Sequence, residues 1–486
     1  MAWADLTTIA PIAVAVLVAA AILVVDIVLP GRRGPAIATA LVGLAVVALV
    51  ILAVGRTPAT AFGGAYSADD LTTFLDILFV CIAALTILFA PDYLEPRDLP
   101  VAEFAAVLVF AVTGAMLIAA ATDLVVLFVA LELMVLPGYL LVAFAKRDAY
   151  ATEGAIKYFL LGSFSSAIFL FGLAFTWGLT GTTRIAEVAA QLSRLASGGG
   201  ISAGLAMGLA LMTTGVAFKM AAVPFHYWTP DAYQGSPTPV TGYLSVGPKV
   251  GAFAIALRLF VGALDPLRAD WLPVVIVLAA ITMTLGNLVA ITQDNVKRML
   301  AYSSIAHTGY ILVGLAAFGG GQQLGIQGLL FYAAAYTFMN LGAFAVVTAL
   351  QRRPGVTSQL TTFAGLGRRE PLLGVLMTLF LLSLTGIPPL AGFFAKAYVI
   401  LAAVQAGGWL TVLAVIAVLN AAAAAFYYLR VVVYMYMREP AEEALPSGQS
   451  GLFRIGLAVT AVVTVVLGLV PGVLTVVQQA ARALHS

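Results

Sequence analysis

Charge is what this chain has least of: 9% of its 486 residues are Asp, Glu, Lys or Arg, while 62% are hydrophobic. Soluble domains carry about 25% charged residues, so a freely soluble protein is excluded and an integral membrane protein indicated. Cysteine is nearly absent. The single Cys81 rules out an internal disulfide and a four-cysteine iron–sulfur site, and in its apolar run it reads as a small buried hydrophobe. The three histidines, His226, His307 and His485, lack metal-ligand spacing, so no metal site is expected. There is no Walker A sequence and no strand-flanked GxGxxG, which leaves ATP hydrolysis and dinucleotide binding unsupported. The run Gly198-Gly199-Gly200 reads as a loop. The N-terminus, MAWADLTTIAP, has no positive n-region, so the first apolar run reads as a retained helix rather than a cleaved signal.

Long apolar runs are what is present. At about 20 residues per span, fourteen segments are expected, near 9–29, 36–54, 71–90, 101–120, 123–145, 153–179, 202–222, 239–263, 271–292, 299–318, 325–350, 371–404, 409–437 and 452–479. The fold class is therefore an all-α polytopic membrane protein. Loop cations set its orientation. Loops after odd-numbered segments hold Arg32, Arg33, Arg97, Lys146, Arg147, Lys297, Arg298, Arg352, Arg353, Arg368, Arg369 and Arg438, whereas loops after even-numbered ones hold only Arg56, Arg184, Arg194 and Arg268, with Arg482 on the same side in the tail. The first set is expected to face the cytoplasm, which puts both termini on the outer side.

Only six of the 24 basic residues are lysine, and four of these, Lys157, Lys219, Lys249 and Lys396, fall inside apolar segments. An ammonium at the bilayer centre costs roughly 2.5–3.5 kcal/mol on insertion scales. A desolvated lysine can release a proton, whereas arginine holds its own. Lys146 and Lys297 read as loop residues. Two segments are broken by proline, which removes a backbone donor and implies a protein-lined cavity. The seventh runs into Ala222-Val223-Pro224-Phe225-His226 just after Lys219. The twelfth is interrupted by Gly386-Ile387-Pro388-Pro389 just before Lys396. Each break falls in the fourth helix of a five-helix unit, segments 4–8 and 9–13. Five is odd, so the two units would insert with opposite orientation, as in inverted-repeat transporters. The expected divisions are 1–100 for three peripheral helices, 101–263 and 271–437 for the two repeats, and 438–486 for a loop and the last helix.

Glu132 stands midway along the fifth segment and is the natural partner of Lys219. Approach of a carboxylate favours the charged ammonium and separation disfavours it, so their spacing can load or release a proton. The plainer alternative is an ion pair that locks two helices. Lys249, midway through the eighth segment, is too deep to snorkel, and Lys396 is read as the mirror of Lys219. Lys157, one turn inside the sixth segment and four residues after Glu153, suits an interfacial ion pair or snorkelling; its sharper reading is a mediator near Glu132 and Lys219. His226 can relay protons between water and Lys219. His307, within AYSSIAHTGY, reads either as a relay between the halves or as a satisfied core residue. Ser303, Ser304, Thr308, Thr337 and Asn340 read as helix-packing or water-holding groups. Asp123 reads as a helix cap, Asp76 as interfacial, and YYLRVVVYMYMR, ending segment 13, as an aromatic belt.

These motifs together carry a resemblance. LELMVLPGYLL with Glu132, AIKYFLLGSFSSAI with Lys157, and AFKMAAVPFHYWTPDAYQGSPTPVTGYLSVGPKVGAF with Lys219, His226 and Lys249 resemble the antiporter-like membrane subunits of respiratory complex I, the proton-translocating NADH:quinone oxidoreductase. NVKRMLAYSSIAHTGYIL with His307 and LTGIPPLAGFFAKAYV with Lys396 continue the likeness. Within that family the chain is most similar to the subunit N branch. It has lysine where subunit M carries glutamate in the twelfth helix, and no room after segment 14 for the lateral helix of subunit L. The resemblance implies that Glu132 and Lys219 form a modulating pair, that Lys249 and His307 lie on a central hydrophilic axis, and that Lys396 connects to the outer side. It also implies a bacterial plasma-membrane location among other complex I subunits, with NADH, FMN, iron–sulfur clusters and quinone held by those partners and no cofactor in this chain. The alternatives are a subunit of an Mrp-type cation/proton antiporter and a non-pumping structural scaffold.

Overall fold

The computed structural model describes residues 3–196, 201–439, 448–470 and 473–484. The Gly198–Gly200 run and His485 lie outside the described residues. Among them, 13 helices are long and apolar enough to cross a membrane. In chain order these are Ala10–Val28, Arg33–Val54, Asp70–Arg97, Val101–Ala120, Leu124–Val142, Ala149–Thr180, Ala203–Met220, Thr238–Ala263, Asp265–Ile291, Val296–Gly319, Leu324–Leu350, Trp409–Met437 and Gly451–Leu469. Two shorter apolar helices, Pro371–Thr385 and Ala391–Ala406, follow one another where the twelfth segment was expected. Counting that pair as one restores the fourteen segments, which keep their sequence ordinals below. The last is shorter than its apolar run, because the helix ends at Leu469.

Burial sorts the segments into a centre and a rim. The eighth is wholly buried and the tenth and eleventh nearly so, whereas the first, second and fourteenth present most of their surface outward. The eleventh packs on the eighth and tenth and on Ala391–Ala406, so it joins the two halves of the chain. The fourth and fifth segments touch through Gly114, where a Cβ would lie 2.4 Å from the Met134 backbone nitrogen. At the second break a Cβ on Gly392 would lie 1.8 Å from the Ser383 carbonyl oxygen. No residue but glycine fits there.

Local chemistry sets the helix ends. Asp123 caps the fifth segment, accepting from the Val125 backbone N–H at 2.8 Å, as the sequence predicts. Asn295 caps the tenth in the same way, accepting from the Arg298 N–H at 3.1 Å. Each cap also joins an antiparallel bridge. Leu124 N donates to Thr183 O and Ile185 N to Thr122 O; Val296 N donates to Ser358 O and Leu360 N to Asp294 O. Thr183 Oγ1 donates to Asp123 and Ser358 Oγ to Asn295. The same fastening thus occurs before the fifth and after the sixth segment, and before the tenth and after the eleventh. A two-stranded hairpin, Ala59–Ala61 with Tyr66–Ala68, and the short amphipathic helix Ile185–Ala196 decorate the side that carries loops after even-numbered segments.

Three sequence expectations change. Lys297 is in the first turn of the tenth helix rather than a loop; it is 3% exposed and donates to Ser236 O at 2.6 Å. Asp76 is buried within the third helix rather than interfacial. The tyrosine-rich end of segment 13 is not a belt throughout, since Tyr427 and Tyr428 turn inward and are buried.

Candidate functional site

Lys219, Lys249 and Lys396 are all buried, at 4%, 2% and 5% exposure, so no ammonium in this set reaches an interface. Lys219 sits in the last turn of Ala203–Met220, a helix capped at its start by Ser202 and ended by Ala221 in the left-handed conformation. Its Nζ donates to Ser166 Oγ at 2.9 Å and to Gly162 O at 3.3 Å, both on the sixth segment. Glu132 lies in the fifth segment, Leu124–Val142. Its Oε1 is buried without a hydrogen-bond partner among the described residues. Among the described residues no hydrogen bond or ion pair joins Lys219 to Glu132, and the ammonium is bonded to the sixth segment instead.

The proline breaks explain where the other two lysines bind. In an α-helix the N–H of residue i+4 satisfies the carbonyl of residue i. Pro388 and Pro389 have no N–H, so Leu384 O and Thr385 O lose their helical donors. Lys396 Nζ supplies both, at 3.0 Å and 2.8 Å, while lying over the Tyr310 ring at 4.8 Å. Pro224 likewise cannot serve Met220 O, and Thr308 Oγ1 of the tenth segment donates to that carbonyl at 2.8 Å. Lys249 Nζ in turn donates to Thr308 Oγ1 at 3.1 Å and to Ser304 O at 2.5 Å. One lysine thus caps its break directly and another reaches the other break through a hydroxyl. Lys396 is not the mirror of Lys219: it follows its break and bonds to it, whereas Lys219 precedes its break and bonds to a neighbouring helix.

His307 is buried on the tenth segment, one residue before Thr308. Its ring nitrogens face two phenols, Nδ1 to Tyr332 OH at 2.7 Å and Nε2 to Tyr428 OH at 3.2 Å. Tyr428 OH is also bonded to Ser303 Oγ, and Tyr336 lies against the imidazole with ring centroids 4.8 Å apart. Ser304 Oγ, Tyr336 OH and Asn340 Oδ1 are buried along the same stretch without a hydrogen-bond partner among the described residues. Asn340 Nδ2 donates to Ser245 Oγ at 2.7 Å, tying the eleventh segment to the eighth.

His226 is buried just beyond the seventh-segment break, with Nδ1 unpartnered and its ring against Tyr227. Lys157 belongs to a different setting. It is half-exposed and pairs with Glu153 at 2.6 Å and Asp231 at 2.7 Å, and Asp231 also pairs with Arg298 at 2.7 Å. Burial pushes the Asp231 carboxyl up, but the hydrogen bonds and charges of Lys157 and Arg298 outweigh it and hold it below the ordinary range. The structure therefore gathers Lys249, His307 and Lys396 along the tenth segment, Lys249 on Thr308 and Lys396 over Tyr310, with the break after Lys219 joined to it through Met220 O. It places Lys157 in a surface ion network. Sequence reasoning missed Tyr332 and Tyr428, which no local pattern distinguishes from packing aromatics. It read Thr308 as packing or water-holding, though Thr308 stands one residue after His307.

Comparison with known proteins follows the same lines. The family model described as NADH:quinone oxidoreductase/Mrp antiporter, TM, matches residues 121–420, a stretch that holds Glu132, Lys157, Lys219, Lys249, Lys396, His226 and His307. NADH-quinone oxidoreductase subunit N of Trichlorobacter lovleyi is 40% identical over 481 residues, 98% of this chain and 97% of its own length. A chain of respiratory complex I from Thermus thermophilus is 32% identical with a TM-score of 0.79, covering 96% of this chain and 98% of its own. A chain of the Mrp complex from Dietzia sp. superposes with a TM-score of 0.84 at 23% identity, a likeness of fold. With its fourteen segments and two proline-broken helices, this chain belongs to the NADH:quinone oxidoreductase/Mrp antiporter transmembrane family.

Proposed function

We propose that this chain is a proton-translocating membrane subunit of an NADH:quinone oxidoreductase, of the subunit N type. Redox chemistry in partner subunits would drive protons past Glu132, Lys219, Lys249, His307 and Lys396. NADH, FMN, iron–sulfur clusters and quinone belong to those partners. One observation carries the reading: three buried lysines bonded to hydroxyls and backbone carbonyls around two helix breaks, Lys396 directly to the carbonyls that proline orphans, with a histidine held between phenols at the centre. Each of these groups can gain or lose a proton, or turn a hydroxyl, without dismantling a helix.

Glu132 sets the charge of Lys219 by distance. Moving one charge across 100 mV requires about 2.3 kcal/mol, and a few ångströms of movement between paired charges in low dielectric supplies energy on that scale. His226 serves as the relay at the first break and Lys396 as the connection to the outer side. Lys157 contributes with Asp231 and Arg298 on the side of the basic loops. The chain would lie in the bacterial plasma membrane with both termini outside. The matching bridges at Asp123–Arg184 and Asn295–Gln359 support the division into inverted units 101–263 and 271–437.

The test is Lys219→Ala in the assembled complex, reading protons moved per NADH oxidised beside the amount of complex formed. Assembly should persist and proton movement or coupled turnover should fall. A loss of assembly with unaltered pumping per electron supports a scaffold instead. Sodium/proton exchange without NADH oxidation supports the Mrp reading. The identity to subunit N relatives over nearly the whole chain favours the first.

A further inference from the structure

One hydroxyl joins three segments. Thr308 Oγ1 lies 2.8 Å from Met220 O, 3.1 Å from Lys249 Nζ and 3.3 Å from Ser304 O. A threonine hydroxyl has one proton to give and two lone pairs to accept with, whereas an ammonium has three donors and no acceptor. While Lys249 is an ammonium, its N–H groups therefore occupy Thr308 Oγ1 and Ser304 O, and the hydroxyl proton has Met220 O left as its acceptor. That carbonyl is the one Pro224 cannot serve, at the residue after Lys219. When Lys249 gives up its proton, its nitrogen gains a lone pair and competes for the same hydroxyl proton. Met220 O then loses its donor, and a buried carbonyl without one is costly.

We propose that Thr308 is a positioning residue that transmits the charge state of Lys249 to the helix break beside Lys219. The hydroxyl turns toward Met220 O when Lys249 is charged and toward Lys249 Nζ when it is neutral. The conformation of the break, and with it the placing of Lys219 against Glu132, Gly162 and Ser166, follows that turn. The two lysines are thereby coupled without a contact between them. This inference rests on the proton-transfer reading above, and it adds the route of coupling, between the eighth and seventh segments through the tenth.

The experiment compares Thr308→Val, Thr308→Ser, Lys249→Met and the Thr308→Val/Lys249→Met double variant in the intact complex. Proton movement and coupled NADH oxidation are read in sealed membranes. Valine keeps the shape and removes the hydroxyl, and is expected to slow coupled turnover about tenfold, the factor that one hydrogen bond to a charged group represents. Serine restores the hydroxyl and should recover most of that loss. In the double variant the valine should cost clearly less than it does alone, because the part of its effect that reports the charge of Lys249 is already gone. Should the valine variant fail to assemble, Thr308→Ala is read against Thr308→Ser in its place. Equal impairment by valine and serine, or additive losses in the double variant, would overturn the inference. So would a valine variant that behaves as the unmodified complex while Lys249→Met is impaired. A Lys249→Met complex with full proton movement would instead remove the reading on which the inference stands.

Discussion

Lys396 separates two jobs that one side chain performs here. Its ammonium replaces the donors that Pro388 and Pro389 lack, and it is also a group that can release a proton. Arginine can do the first and not the second, since its guanidinium keeps its proton in proteins. Lys396→Arg is therefore expected to assemble and to lose proton movement, while Lys396→Met, which leaves both carbonyls bare, should lower the yield of assembled complex as well. Quantifying the complex beside its proton uptake decides this. Glu132 gives the opposite case. Its buried Oε1 has no bond to lose, so Glu132→Gln should leave thermal stability near that of the unmodified complex and reduce pumping. Asp231 is a matter of pH. Its pKa is lowered in the folded state, so its ion pairs stabilise above the ordinary carboxylate range and fail as pH falls below about 4. Thermal melts of the purified complex across that range should show a loss that Asp231→Asn flattens.

At the scale of elements, proline and the helix caps give the sharpest arguments. Proline at 224, 388 and 389 determines which carbonyls are orphaned, because the missing donor always lies four residues on. The sequence therefore shows where a substitute donor is needed. It does not show which residue provides one, because Thr308 and Lys249 come from other helices. The caps at Asp123 and Asn295 are matched in bonding and in their bridges to Arg184 and Gln359. Asp123→Ala and Asn295→Ala should each cost ~1 kcal/mol. Their effects on the thermal midpoint should be similar and additive, as expected for sites in different halves. Unequal or strongly coupled losses would count against equivalent roles in two repeats.

For the molecule as a whole, the distribution of loop cations makes a topological claim. In a Cys81→Ala background, a cysteine at Thr60, exposed in the hairpin after the second segment, should react with a membrane-impermeant thiol reagent from outside. One at Arg353, exposed after the eleventh, should react only in inverted vesicles. The reverse pattern would invert the assignment. The buried centre of segments 8, 10 and 11 is the other whole-molecule feature. Its polar side chains are closed off from lipid by the remaining helices, which lets ionisable groups stay at membrane depth.

The sequence by itself determined the segments, their two breaks and the burial of Lys219, Lys249 and Lys396. Hydropathy, proline chemistry and the cost of an intramembrane charge are local properties, readable residue by residue. Tertiary structure alone decided the partners. Tyr428 looked like part of an aromatic belt and bonds to His307; Lys297 looked like a loop residue and is buried against Ser236; Lys396 caps its own break while Lys219 reaches the sixth helix. A hydrogen bond needs its two atoms about 3 Å apart, and which residues meet at that distance depends on which helices are neighbours and how they are turned. No periodicity along one chain encodes that. Scarcity of charge pointed to the membrane, and packing assigned each remaining charge its work.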